Sequence, residues 1–142
     1  IKMEEWDLRD ILSNCAERQM NLVAEKGLQF VFDFPPEPVN MACDENHLSR
    51  AFSNLIANAI RYANHTIILS CGTIDDQIVV TVKDDGQGIA ESDLPHIFDR
   101  FYKGRGGKHG IGLSIVKSVV EQHGGKIEAR NTAVGAAFHI TF

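Results

Sequence analysis

Apolar positions change their period several times along the chain, and each change marks an element. From Ile1 to Gly27, the residues Trp6, Leu8, Ile11, Leu12, Cys15, Ala16, Met20, Leu22 and Val23 fall at helical spacing, behind a short strand around Trp6 to Leu8. Gly27 supplies the helix stop. Leu28 to Phe34 alternates apolar and polar residues as a strand does, and Pro35, Pro36 and Pro38 end it. A second helix is predicted over Glu45 to Ala63, with Asp44 placed to cap it.

Two strands follow, Thr66 to Thr73 and Gln77 to Lys83, joined by Ile74-Asp75-Asp76 into a hairpin. Asp84 to Gly112 is glycine-rich and irregular apart from a short apolar turn around Leu94 to Phe101, and an irregular stretch of that length inside a compact unit points to function. A third helix is predicted from Ile111 to His123, with Ile111, Ile115, Val116, Val119 and Val120 on one stripe and Gly124-Gly125 as its stop. Lys126 to Arg130 and Ala136 to Phe142 read as the last strands. No repeat of roughly 20–50 residues, low-complexity tract or linker interrupts the pattern. Residues 1–142 are therefore expected to form one α+β domain: a two-layer sandwich of about three helices on one face of a mixed, mostly antiparallel sheet, with the other sheet face wetter.

Composition changes this picture little and bounds the function more. A chain of 142 residues buries roughly 68–70% of the surface its unfolded form exposes. With 44% hydrophobic and 23% charged residues it is neither disordered, collagen-like nor a coiled-coil rod. The net charge of −5 disfavours nucleic acid and direct membrane contact, so any anion site must be local. Cys15, Cys43 and Cys71 are far apart and odd in number, which reads as buried reduced thiols and a cytoplasmic location. No apolar run reaches the ~18–20 residues of a membrane span and no signal peptide opens the chain, while a start at Ile1 points to a piece of something longer.

Four segments carry candidate chemistry. In the second helix Leu48, Phe52, Leu55, Ile56 and Ala59 form the core stripe, whereas Asn54, Asn58 and Arg61 share another face. Asparagine is a mediocre helix former, so two of them four apart need a reason. Carboxamide oxygens beside a cation suit Mg²⁺ and phosphate, with Asn58 as the sole protein ligand; a solvated helix face is the alternative. Asp84-Asp85-Gly86-Gln87-Gly88-Ile89 ends a strand with carboxylates and then lets backbone approach closely, either to read the exocyclic amine of adenine or simply to turn. His109-Gly110-Ile111-Gly112-Leu113 opens a helix where unpaired N–H groups suit an anion, or else lets elements pack closely. Ile97 to Lys108 mixes aromatic residues, glycines and cations, as a phosphate-sensing lid or a solvated basic loop would, with Phe98 and Phe101 read most simply as core anchors.

In this order the four segments resemble the N, G1, F and G2 boxes of the catalytic ATP-binding domain of sensor histidine kinases, in the GHKL ATPase superfamily. The resemblance runs from Asp44 to the C-terminus and implies ATP and Mg²⁺ as cofactors. It implies that Asn58 ligates Mg²⁺, that Arg61 binds phosphate with Asn54 as helper, and that Tyr62 packs on adenine. Asp84 would read the adenine amine over Gly86, Gly88 and Ile89. Gly110, Ile111, Gly112 and Leu113 would lie beside the phosphates, Lys103 would reach the γ-phosphate, and Phe101, Arg105, Lys108 and His109 would complete the lid side. Asn58, Arg61 and Lys103 carry the catalytic roles in this reading.

The G2 box departs from its usual Gly-Thr-Gly-Leu-Gly-Leu, since Lys108-His109 precede Gly110 and Ile111 replaces a leucine, and the lid from Lys103 to His109 is short. None of His47, His65, His96, His109, His123 or His139 sits in a phosphoacceptor box. The resemblance therefore implies two partners: a dimerisation and phosphoacceptor domain of the same parent, and the receiver domain of a response regulator. Hydrolases of the superfamily carry a glutamate base where this chain has Asn54, and an amide cannot accept water's proton. A hydrolase or anti-sigma serine kinase, and a degenerate docking module, are the alternative readings.

Overall fold

The computed structural model describes residues 1–102 and 111–142. Strand β1 (Glu4–Asp7) leads into helices α1 (Leu8–Arg18) and α2 (Met20–Glu25), then strands β2 (Gln29–Asp33) and β3 (Asn40–Cys43). Helix α3 (Glu45–Tyr62), the hairpin β4 (Thr66–Ile74) and β5 (Gln77–Asp84), a 3-10 turn (Leu94–His96), helix α4 (Ile111–Gln122) and strands β6 (Lys126–Asn131) and β7 (Ala136–Thr141) follow.

Five strands form one sheet in the order β2-β4-β5-β7-β6, with β2 parallel to β4 and every other pair antiparallel. Helices α1, α3 and α4 cover one face, so the expected two-layer α+β sandwich is what the chain adopts. Leu12, Phe52, Leu55, Ile56, Val116 and Val120 bury completely against Ile67, Leu69, Val80 and Ile140, at about 1.5–3 kcal/mol of transfer free energy per large side chain. All five predicted stripe residues of α3 lie in this core. The opposite face carries Ser70, Thr81, His139 and Glu128 in one row across β4, β5, β7 and β6, and the Ser70 and Thr81 hydroxyls share a hydrogen bond. That face is the wetter one. The three cysteines are all buried and unpaired. Among the described residues, no helix is long and apolar enough to cross a membrane.

The first third departs from expectation in three ways. The opening strand ends at Asp7, whose carboxylate accepts the Arg9 N–H at 3.0 Å and so starts α1 at Leu8. The single helix expected up to Gly27 breaks at Gln19, where the backbone leaves helical geometry (φ −111°, ψ 8°) and the side chain donates instead to the Ser53 carbonyl at 3.1 Å. Asn40–Cys43 is a strand with no counterpart in the prediction, and it pairs antiparallel with β1.

The hairpin turn is confirmed. Asp75 and Asp76 both take positive φ (51° and 65°), the geometry of a two-residue turn that matches strand twist. Phe98 anchors its loop, edge-to-face on Phe138 at 6.0 Å. Phe101 is not a core anchor: its backbone is left-handed (φ 64°) and its ring is 63% exposed, beside the Arg100 guanidinium at 5.2 Å.

Candidate functional site

Three of the four motif segments meet at the C-terminal half of α3. Asp44 caps that helix by accepting the His47 N–H at 3.1 Å, and beside the buried apolar stripe Asn54 is half-buried. Asn54 donates its amide to the Gly112 carbonyl at 3.3 Å, tying α3 to the first turn of α4. Asn58, one turn further on, is 9% exposed, Arg61 is exposed, and Tyr62 is half-buried.

The loop after β5 abuts the end of the same helix. A Cβ at Gly86 would lie 2.1 Å from the Tyr62 carbonyl oxygen, so only glycine lets this loop reach α3. Asp84, at the end of β5, is 5% exposed and accepts the Gly86 N–H at 2.8 Å. Burial pushes its carboxyl above the ordinary range, the Asp85 charge adds to this, and the Gly86 and Ala136 backbone partly offsets it. Burial likewise raises the Tyr62 phenol, against the neighbouring Arg61 guanidinium. The charges of Asp93 and Asp84 also raise the phenol.

Two groups that sequence reasoning did not single out hold the loop. Asp85 accepts three backbone N–H groups, from Asn64 (2.9 Å), His65 (3.0 Å) and Thr66 (3.1 Å). Partial burial raises its carboxyl, but those three donors outweigh it and hold the pKa below the ordinary value. On the other side lies the turn between β6 and β7. Gly88 has positive φ (81°), and a Cβ there would lie 2.8 Å from the Asn131 side-chain oxygen. A Cβ at Gly135 would lie 2.1 Å from the Asp84 carbonyl. An Asn-Thr pair and a glycine between two strands mark a turn, but nothing in that signal says which loop it supports.

Past the 3-10 turn, the Tyr102 hydroxyl donates to the buried Asp93 carboxylate at 2.5 Å, and its ring stacks on His96 at 5.3 Å. Lys103, Arg105, Lys108, His109 and Gly110 lie outside the described residues, as does the side chain of Ile111, whose backbone opens α4. Leu113 is buried and Gly112 exposed.

Among the described residues, no group of three or more His, Cys, Asp or Glu is placed to hold a metal. A carboxamide such as that of Asn58 on α3 has the chemistry to fit a hard cation that brings phosphate and water oxygens with it.

A family profile described as histidine kinase-, DNA gyrase B- and HSP90-like ATPase matches residues 43–142. The chain belongs to this family. Its relatives are sensor histidine kinases: CusS of Escherichia coli K12 is 37% identical over 145 residues, covering 88% of this chain and 30% of that protein. The catalytic domain of histidine kinase ThkA has the same fold, with a TM-score of 0.91 at 23% identity over 100% of this chain and 95% of that one. Full-length ShkA, solved in complex with AMPPNP, matches with a TM-score of 0.87 at 25% identity, over 99% of this chain and 31% of that one. The chain spans about 25–30% of the length of the curated relatives it matches.

Proposed function

We propose that residues 1–142 form one catalytic domain that binds Mg²⁺-ATP and donates the γ-phosphoryl group to a histidine on a separate dimerisation domain of the same parent, for relay to a receiver-domain aspartate of a response regulator. The observation that carries this reading is the meeting of three motifs at one helix: Asn54 bonded to Gly112, and Gly86 seated against Tyr62. In this reading Asp84 accepts the adenine amine, Tyr62 stacks on the base, and Gly86, Gly88 and Ile89 give it room. Asn58 ligates the cation, and Arg61 contacts phosphate with Asn54 as helper. Gly110, Ile111, Gly112 and Leu113 offer backbone at the helix start. Phe101, Lys103, Arg105, Lys108 and His109 complete the phosphate side, with Lys103 at the γ-phosphate. Mg²⁺, when bound, neutralises phosphate charge. The protein's share of the work is positioning and charge compensation.

Asn54 also argues against a hydrolase. Its amide is a donor to Gly112, and no general base stands at that position to accept a proton from water. Intrinsic ATP turnover is expected to stay below about one per second, the low end for working enzymes. A faster rate in a steady-state assay would reverse that assignment. We place the domain in the cytoplasm, as part of a membrane-anchored sensor.

Calorimetric titration with a non-hydrolysable ATP analogue, with and without Mg²⁺ and against a GTP analogue, tests the site. Micromolar to sub-millimolar, adenine-selective, Mg²⁺-sensitive binding is expected. Mixing the domain and ATP with a separately made cognate dimerisation domain then tests transfer. Folded protein that binds no nucleotide would refute the reading and favour a docking module.

A further inference from the structure

Asn131 stands at the end of β6, 42 residues from Ile89 in the chain, and bonds both polar backbone groups of that residue. Its carboxamide oxygen accepts the Ile89 N–H at 2.7 Å, and its amide donates to the Ile89 carbonyl at 2.8 Å. One side chain thereby does what a neighbouring strand would do, at a point where the loop has left the sheet. The contact is tight on the Gly88 side as well, where a Cβ would lie 2.8 Å from the same oxygen. Asn131 is also in register with Asp84: it pairs with Ala136, which pairs with Asp84. The turn that follows is braced by Thr132, whose hydroxyl accepts the Gly135 N–H at 3.0 Å and whose N–H donates to the Gly135 carbonyl at 2.8 Å.

We infer that Asn131 is a positioning residue for nucleotide binding, acting through the backbone of Ile89 and Gly88 to hold the adenine-side loop in its binding geometry. The inference rests on the assignment of residues 84–89 to the adenine site. The bonds belong to the base end of the ligand, so ADP and an ATP analogue should depend on them equally. Removing both lowers the competent fraction of the loop to on the order of one-tenth, and the apparent Kd rises by the same factor.

The test compares wild type, Asn131→Ala and Asn131→Asp by calorimetric titration with ADP and with a non-hydrolysable ATP analogue, well below each protein's melting temperature. Asn131→Ala is expected to weaken both ligands by about tenfold. Asn131→Asp keeps the acceptor for the Ile89 N–H but faces the Ile89 carbonyl with a carboxylate, so it too should weaken both; it supplies the test if the alanine variant does not fold. Amide exchange at Ile89, read by NMR without nucleotide, should accelerate in the alanine variant, which lacks the acceptor. Folded variants with wild-type affinity for both nucleotides overturn the inference, even if their melting temperature has dropped, because a purely structural role would do that. Unchanged exchange at Ile89 in the alanine variant overturns it as well. Wild-type protein that binds neither nucleotide sinks the adenine-site assignment and this inference together, whereas binding by wild type and equal binding by the variants sinks this inference alone.

Discussion

Asp84→Asn separates binding from stability, because the structure makes the two respond in opposite directions. The carboxylate is 5% exposed with one oxygen occupied by the Gly86 N–H. Its pKa in the folded protein is raised, chiefly by burial, so the folded state holds the proton more tightly than the unfolded state does. Stability therefore declines as pH rises from the ordinary carboxyl range through that raised value, and the penalty is fully present above it. Asparagine keeps an oxygen for Gly86 and removes the charge, so the melting temperature at neutral pH should hold or rise. Binding should suffer instead: a hydrogen bond to a charged acceptor contributes about 1.5–3 kcal/mol, or roughly ten- to 150-fold in Kd. Calorimetric titration with the ATP analogue and a thermal melt on the same samples measure both. Wild-type affinity should also fall as pH is lowered through the raised pKa, while the variant stays flat across that window. Equal adenine affinity in the two proteins would remove Asp84 from the site. A melting temperature several degrees lower, with affinity loss that tracks unfolding, would refute the claim that burial of this charge opposes folding.

Asp85→Ala deprives three backbone N–H groups of their acceptor and should lower stability by about 2 kcal/mol in urea titration. Because the Asp85 pKa is depressed, its contribution is present above the ordinary carboxyl range and disappears as pH falls through the folded value; the difference between wild type and variant should close in acid. Gly86→Ala puts a Cβ 2.1 Å from the Tyr62 carbonyl and should reduce stability by about 3 kcal/mol or more, whereas Gly112→Ala, with its nearest atom 4.0 Å away on Asn54, should melt like wild type. Asn58→Ala should leave the circular-dichroism spectrum and melting temperature close to wild type and abolish the Mg²⁺ dependence of nucleotide binding; a retained dependence would show that the cation is held elsewhere.

Elements that declare themselves over a dozen residues or more were legible without coordinates. The α3 stripe of Leu48, Phe52, Leu55, Ile56 and Ala59 is buried as a set, and an 18-residue helix carries five turns of the same signal. β3 has only four residues, too short for alternation to stand out, and its pairing with β1 joins Glu4 to Cys43. The break at Gln19 has no glycine or proline to announce it, and the partner of its side chain, the Ser53 carbonyl, is 34 residues away. Phe101 misled because aromaticity speaks for burial, while a left-handed backbone set its ring outside.

The same contrast divides the candidate site. Asp84, Gly86 and Gly88 are neighbours in the chain, so their pattern is readable in the sequence as the proposed adenine-side loop. What orders that backbone is remote: Asp85 ties it to residues 64–66, and Asn131 ties it to the end of β6. Glycines enlarge the conformational freedom of an isolated loop, and polar side chains from two directions remove it again. A glycine motif read alone therefore marks the proposed adenine side but says little about how the loop there is held. On the inference drawn above, affinity there depends as well on Asn131, whose contact with Ile89 spans 42 residues of chain and forms only when the end of β6 meets the loop.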